Sequence, residues 1–332
     1  MSIRSNVRLS EVIRSRDNNL NLIRFIAATM VLVSHSFALH TGDPGAEPWR
    51  KTLGMSMGGV AVDIFFCASG FLVTGSLLAS RSIRDFLLAR ALRIYPGLWT
   101  ALLLSVVAVG IFASTESAGR FFSAYETWKY LLRNAVMVIG AEFQLPGAFA
   151  GNPFNGAVNG SLWTLPFELR AYLIVLGLWL IAVWKRGVAA AAFKTVVMLA
   201  CAVTLVWAIG SMLAGQPNRF AALLAVFLLG ALLRLIADRV VLSRWALVAL
   251  LALLVGSLLL GTKVFWLVYI FILPYALLCL AYLPAGVIRK FNGVGDYSYG
   301  IYIYMPSRSS NLSLQTAHPL HGKWWAPRFR LP

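Results

Sequence analysis

Apolar residues run through this chain in blocks of about twenty, the length of helix that crosses the hydrocarbon core of a bilayer. Eight blocks qualify, near 22–40, 58–80, 96–113, 162–184, 188–214, 219–237, 243–261 and 263–283. A ninth begins at Tyr297 and fails after Met305. The pattern predicts an all-α, polytopic membrane helix bundle of eight full spans and a truncated ninth. It divides the chain into an N-terminal segment 1–21, a membrane domain 22–305 and a basic tail 306–332. Two further stretches mix apolar with polar positions. Ser82 to Tyr95 suits an amphipathic helix on the membrane surface, turned into the bilayer at Pro96. In the long link Ser114 to Gly160, the piece around Tyr130–Ile139 is too short to cross, so a re-entrant or interfacial helix is expected.

Charge placement gives these spans a direction. With the N-terminus inside, the inner segments carry Arg4, Arg8, Arg14 and Arg16, then Arg81, Arg84, Arg90 and Arg93, then Lys185 and Arg186, then Arg234, Arg239 and Arg244, then Arg289 and Lys290. The short outer links hold only Arg50 and Lys51, offset by Asp43 and Glu47, with Arg219 and Lys263. Basic residues collect on the cytoplasmic side of membrane proteins, so an N-in topology is expected. The first apolar block is too long for a signal-peptide core and lacks a small-residue cleavage site, so the first helix is expected to stay.

Composition agrees. The chain is 59% hydrophobic and 12% charged, with mean hydropathy +0.76, which excludes an ordinary soluble domain. A net charge of +17 raises nucleic acid as a partner, but the basic residues are dispersed between apolar blocks, so membrane orientation and lipid contact explain them and no nucleic acid is expected. Cys67, Cys201 and Cys279 lie in apolar stretches without ligand spacing and read as fillers, not as a metal site.

Against this background the polar residues inside the blocks carry the chemistry. Arg24 and His35 are eleven residues apart, about three helical turns, so they share one face with roughly 16 Å between them. Ionisable groups inside a membrane are functional by default. Counted from the outer surface, His35, Asp63 and Glu168 fall at nearly one depth, about five or six residues in. Mutual pairing around one polar cavity is the economical arrangement. A His beside carboxylates has the makings of a general base for a sugar or lipid hydroxyl. Arg90 and Arg93 share a face and lie level with Arg24, a set suited to gripping phosphates or, equally, lipid headgroups. Ser69 and Gly70 permit close helix packing or leave room for a narrow ligand.

The same residues carry a resemblance. From roughly Asn18 to Tyr304 the chain resembles the acyltransferase-3 family, membrane-embedded O-acyltransferases of bacterial surface polysaccharides. Arg24 and His35 match its Arg, ten residues, His motif. Phe65 to Gly70 (FFCASG, after Asp63) match FFxxSG, and Arg90 with Arg93 match RxxR. Ser161-Leu162-Trp163 with Glu168, and Asp296-Tyr297-Ser298-Tyr299, resemble two later motifs. The resemblance implies a ten-helix bundle in the bacterial inner membrane, with no permanently bound cofactor. It takes acyl-CoA, usually acetyl-CoA, as donor and a polysaccharide or lipid-linked sugar as acceptor. In this scheme His35, Asp63 and Glu168 are catalytic, while Arg24, Arg90, Arg93, Ser69 and Gly70 bind the donor. The chain departs from the family after Tyr304: the tail has several Pro and Arg, no acidic residue and no apolar period. Competing readings are a glycan or lipid-intermediate transporter or flippase, and an inactive truncated acyltransferase paralogue.

Overall fold

The computed structural model describes residues 6–15, 17–138, 140–149, 157–183 and 189–304. The expectations for Arg4, Arg16, Lys185, Arg186 and the tail 306–332 lie outside the described residues. The order is strand β1 (Asn6–Arg8), then helices α1 (Leu9–Val12), α2 (Leu20–Thr41), α3 (Pro48–Leu53), α4 (Met57–Ala79), α5 (Ile83–Phe112), α6 (Ala118–Ser123), α7 (Tyr125–Val136), α8 (Leu165–Val183), α9 (Ala189–Leu213) and α10 (Arg219–Leu235). Strand β2 (Val241–Ser243) follows, then α11 (Arg244–Ser257), α12 (Thr262–Tyr282) and α13 (Ser298–Ile303). The chain is thus an all-α polytopic bundle. Each of the eight apolar blocks forms a helix, but among the described residues six are long and apolar enough to cross a membrane. α10, with 17 residues, and α11, with 14, fall short of the full spans expected for them.

Local chemistry sets the helix ends. α2 stops where Gly42 takes a left-handed conformation and its N–H returns to Ala38 O. α4 starts on Ser56, whose hydroxyl accepts from Gly59 N–H, and α5 starts on Ser82, which accepts from Asp85 N–H. The expected turn at Pro96 does not occur. α5 runs unbroken through it, so the amphipathic segment and the third span are one 30-residue helix. Membrane helices tolerate proline when neighbours meet the freed backbone groups. The carbonyl that the ring deprives of its N–H partner is that of Leu92, an exposed residue of the helix, and the Tyr299 hydroxyl donates to Ile94 O in the same turn.

At the centre α4 packs on α10 with almost no side chain between them. An ideal Cβ at Gly70 would stand 1.9 Å from the Phe227 carbonyl oxygen, and one at Gly230 would stand 2.2 Å from that of Cys67. In a bilayer, where lipid is as apolar as leucine, such close packing holds helices together. Gly70 thus serves the packing of the two helices, since a side chain there would meet the backbone of α10.

Two anchors join loops on opposite faces of the bundle. On one, β1 pairs antiparallel with β2, Val7 opposite Leu242, and Asn19 N–H donates to Ala281 O. On the other, Gly54 packs on Thr262 and Gly59 approaches Arg219. The alternation matches the sense expected for successive spans. The link after α5 bends back into the bundle, as expected of a re-entrant segment. Phe121 packs against Gly110, while the Tyr95 hydroxyl reaches Val136 O and Trp99 Nε1 reaches Ala135 O. Tyr95 lies seventeen residues before the end of α5, roughly 25 Å along the helix, and α7, twelve residues or about 18 Å long, covers most of that distance beside it.

Candidate functional site

The residues expected to share one depth, His35, Asp63 and Glu168, have separate partners.

Glu168, near the start of α8, accepts from the Tyr172 hydroxyl one turn on and from Ser69 Oγ of α4 at 3.4 Å. It lies within charge range of Arg24, Arg90 and Arg93. Glu168 therefore belongs with the arginines. Asp63 is buried in α4 and accepts from the Tyr269 hydroxyl of α12 at 3.1 Å, with Arg219 in charge range. His35, half-buried on α2, has neither of these acids in charge range. Its acidic neighbour is Glu47, in the link between α2 and α4.

The arginines do converge. Arg24 Nη1 and Arg93 Nη2 both donate to Asp296 Oδ2, at 2.5 and 2.8 Å. The other carboxylate oxygen accepts from Ser298 Oγ at 2.5 Å, which ties the pair to the first turn of α13. Burial alone would push the Asp296 carboxyl up, but the Arg24 and Arg93 guanidiniums and the Ser298 hydroxyl hold it below the usual carboxylate range. Arg24 also lies over the Phe65 ring at 5.8 Å. Arg90 reaches Ser76 Oγ at 3.4 Å, and its Nε is buried with no hydrogen-bond partner among the described residues. A buried donor without an acceptor is costly unless a ligand supplies one. The three arginines thus form one cationic site lined by Phe65, Ser69 and Glu168.

α13 braces the site. Asn159 Nδ2 donates to Ile303 O at 2.8 Å, Ser161 Oγ to Tyr302 O at 2.8 Å, and Thr164 Oγ1 meets the Tyr302 hydroxyl at 2.6 Å. The half-helix expected to be a remnant thus connects the arginine site to the Ser161-Leu162-Trp163 segment.

A family model for an acyltransferase domain matches residues 17–306. The chain belongs to the acyltransferase-3 family. Among curated relatives it is 38% identical over 160 residues to an O-acetyl transferase of Shigella phage Sf6, covering 48% of this chain and 45% of the relative. It is 36% identical over 172 residues to nodulation protein 10 of Rhizobium leguminosarum bv. viciae, covering 51% and 45%. The match therefore spans under half the length of either relative. No solved structure matches.

Of the motif residues, Arg24, Phe65, Ser69, Arg90, Arg93, Glu168 and the Asp296 segment lie together, while His35 stands apart towards the far end of α2, Gly70 packs on α10 and Trp163 lies under Arg219. Asp296 and Tyr172 carry parts of the site that no sequence motif assigned. Asp296 stands inside a noted motif without a role, and Tyr172 follows Glu168 at helical i+4 spacing. All three cysteines are free and buried, as expected of apolar fillers.

Proposed function

We propose that the protein transfers an acyl group, acetyl in the first instance, from cytoplasmic acyl-CoA to a hydroxyl of a surface polysaccharide or lipid-linked sugar. The observation that carries this reading is the convergence of Arg24 and Arg93 on one carboxylate oxygen, beside a buried Arg90 Nε without a partner, in a chain of this family. Guanidinium groups grip phosphate oxygens through paired N–H donors, and a CoA donor offers several phosphates. The named relatives, an O-acetyl transferase among them, support O-acyl transfer.

In this reading the N-terminus and the arginine site face the cytoplasm, which the charge bias supports, and the membrane is the bacterial inner membrane. The donor's phosphates bind to Arg24, Arg90 and Arg93, and its acyl end extends along α2 towards His35. His35 Nδ1 or Nε2 takes the proton of the acceptor hydroxyl as its oxygen attacks the thioester carbonyl. The thiolate of CoA then leaves and the new ester forms. Asp63, bonded to Tyr269, lies on the acceptor side, and Glu168 helps to orient the donor site.

Mass spectrometry of surface glycans tests this. Cells with the gene should show acyl-sized mass increments that vanish without it and with His35→Ala, the variant still reaching the membrane. Normal glycan acylation by His35→Ala protein would refute the base assignment.

A further inference from the structure

Two guanidiniums repel each other unless an anion lies between them. Arg24 of α2 and Arg93 of α5 meet on a single oxygen, Asp296 Oδ2, at 2.5 and 2.8 Å. One oxygen that takes N–H donors from two arginines is also the contact a phosphate oxygen makes in such a site. Asp296 thus fills, from within the chain, the place that the proposed function gives to a phosphate of the donor.

Its other ties are local. Oδ1 accepts from Ser298 Oγ at 2.5 Å and from Ser298 N–H at 3.3 Å, two residues along. The rest of α13 is fixed without it: Asn159 and Ser161 bond the carbonyls of Ile303 and Tyr302, Thr164 meets the Tyr302 hydroxyl, and Tyr299 bonds Ile94 O. The Asp296 side chain is 21% exposed and that of Arg93 is 36% exposed, so the ion pair is open to solvent. The carboxylate is therefore able to leave the arginines without undoing a helix, and an anion is able to reach them. Arg90 decides what that anion must offer. Its buried Nε has no hydrogen-bond partner among the described residues, so the carboxylate serves two of the three arginines and leaves the third wanting an acceptor.

We propose that Asp296 is an internal competitor of the donor: it occupies Arg24 and Arg93 in the unliganded protein and yields them to a phosphate of acyl-CoA. Donor binding is then an exchange of one anion for another. A ligand that presents a single carboxylate gains nothing by it, whereas one with several phosphates reaches Arg90 as well, so Asp296 makes the site selective for polyphosphorylated carriers. This rests on the donor reading of the arginine site and adds the residue that sets its selectivity.

The test is the binding of CoA, and of pantetheine as a phosphate-free probe, to purified full-length protein in lipid nanodiscs, for wild type, Asp296→Asn, Ser298→Ala and Arg93→Ala. Asparagine is isosteric and its amide oxygen still accepts from Ser298, so the charge goes and the turn stays. The pairs that a phosphate must break are partly exposed and screened by solvent, so the gain is modest: the Kd of Asp296→Asn for CoA should fall by about three- to tenfold. Its Kd for pantetheine should not change. Ser298→Ala, which loosens the carboxylate, should tighten CoA by less, and it decides the matter if Asp296→Asn does not fold. A CoA Kd that stays level or rises overturns the inference, because a carboxylate that only aligned the arginines would weaken CoA binding when lost. An equal gain for pantetheine also overturns it, since that marks a general change of the site. CoA binding untouched by Arg93→Ala would instead refute the donor reading and leave the arginines to another anion such as a lipid headgroup, an outcome separable from the failure of Asp296.

Discussion

Gly70→Ala tests whether the centre of the bundle is closed. The added Cβ would stand 1.9 Å from the carbonyl oxygen of Phe227, 2.7 Å from its carbon and 3.0 Å from its Cα. All three are backbone atoms of α10, so no side chain can turn away. Restoring an ordinary contact near 3.5 Å means moving α10 off α4 by about 1.5 Å. That motion also opens the reciprocal contact, where Gly230 faces Cys67 O and Phe71 N. Overpacking a tight interior costs about 1–3 kcal/mol, and separation forfeits dispersion contacts along both helices. Alanine returns about 1 kcal/mol in helix propensity. The net expectation is a loss of about 2 kcal/mol or more, read as a fall of at least about 3 °C in the thermal midpoint of detergent-solubilised protein. Gly177→Ala on α8 is the control, since a Cβ there meets nothing within 4 Å, and it should leave the midpoint equal or higher. A Gly70→Ala midpoint at or above wild type would refute the close packing and reopen the space beside Ser69 as a passage for ligand.

Arg93→Ala should raise the KM for acyl-CoA about tenfold or more with kcat little changed, because it removes a charge-assisted grip on the donor; steady-state kinetics at varied donor concentration would show it. The Asp296 link should respond to acid. Its carboxyl is held below the ordinary value of 3.8, so the stabilisation is complete above that pH and is lost as pH falls through the lowered value. Acid unfolding of Asp296→Asn should lack this contribution, whereas coincident acid transitions would deny it. Single cysteines placed at Asn6, Arg84 and the exposed Val241 should all label from the cytoplasmic side. β1–β2 pairing already puts the first and third on one face, so opposite labelling of Asn6 and Val241 would contradict the strand itself.

The helices were legible because a membrane imposes one rule on every span: about twenty apolar residues with the backbone satisfied within the helix. All eight apolar blocks became helices, with boundaries close to those expected. Pro96 departs from the expected turn because a proline removes a single helix hydrogen bond, which a membrane helix can tolerate without breaking. The arginine cluster was half legible. Helical spacing and charge bias put Arg24, Arg90 and Arg93 at one level, but no local pattern shows that a single carboxylate oxygen holds two of them. Glu168 marks the limit of counting depth along a chain, because a residue count places a backbone whereas a side chain finds its partners by packing. Its neighbour Phe167 lies against Phe220 at the start of α10, yet the Glu168 carboxylate turns to Ser69 of α4 and to Tyr172, and it shares the charge field of Arg24, Arg90 and Arg93. The acid grouped with His35 from sequence is thereby a partner of the arginines, because the long carboxylate side chain reaches the face of α4 that carries Ser69.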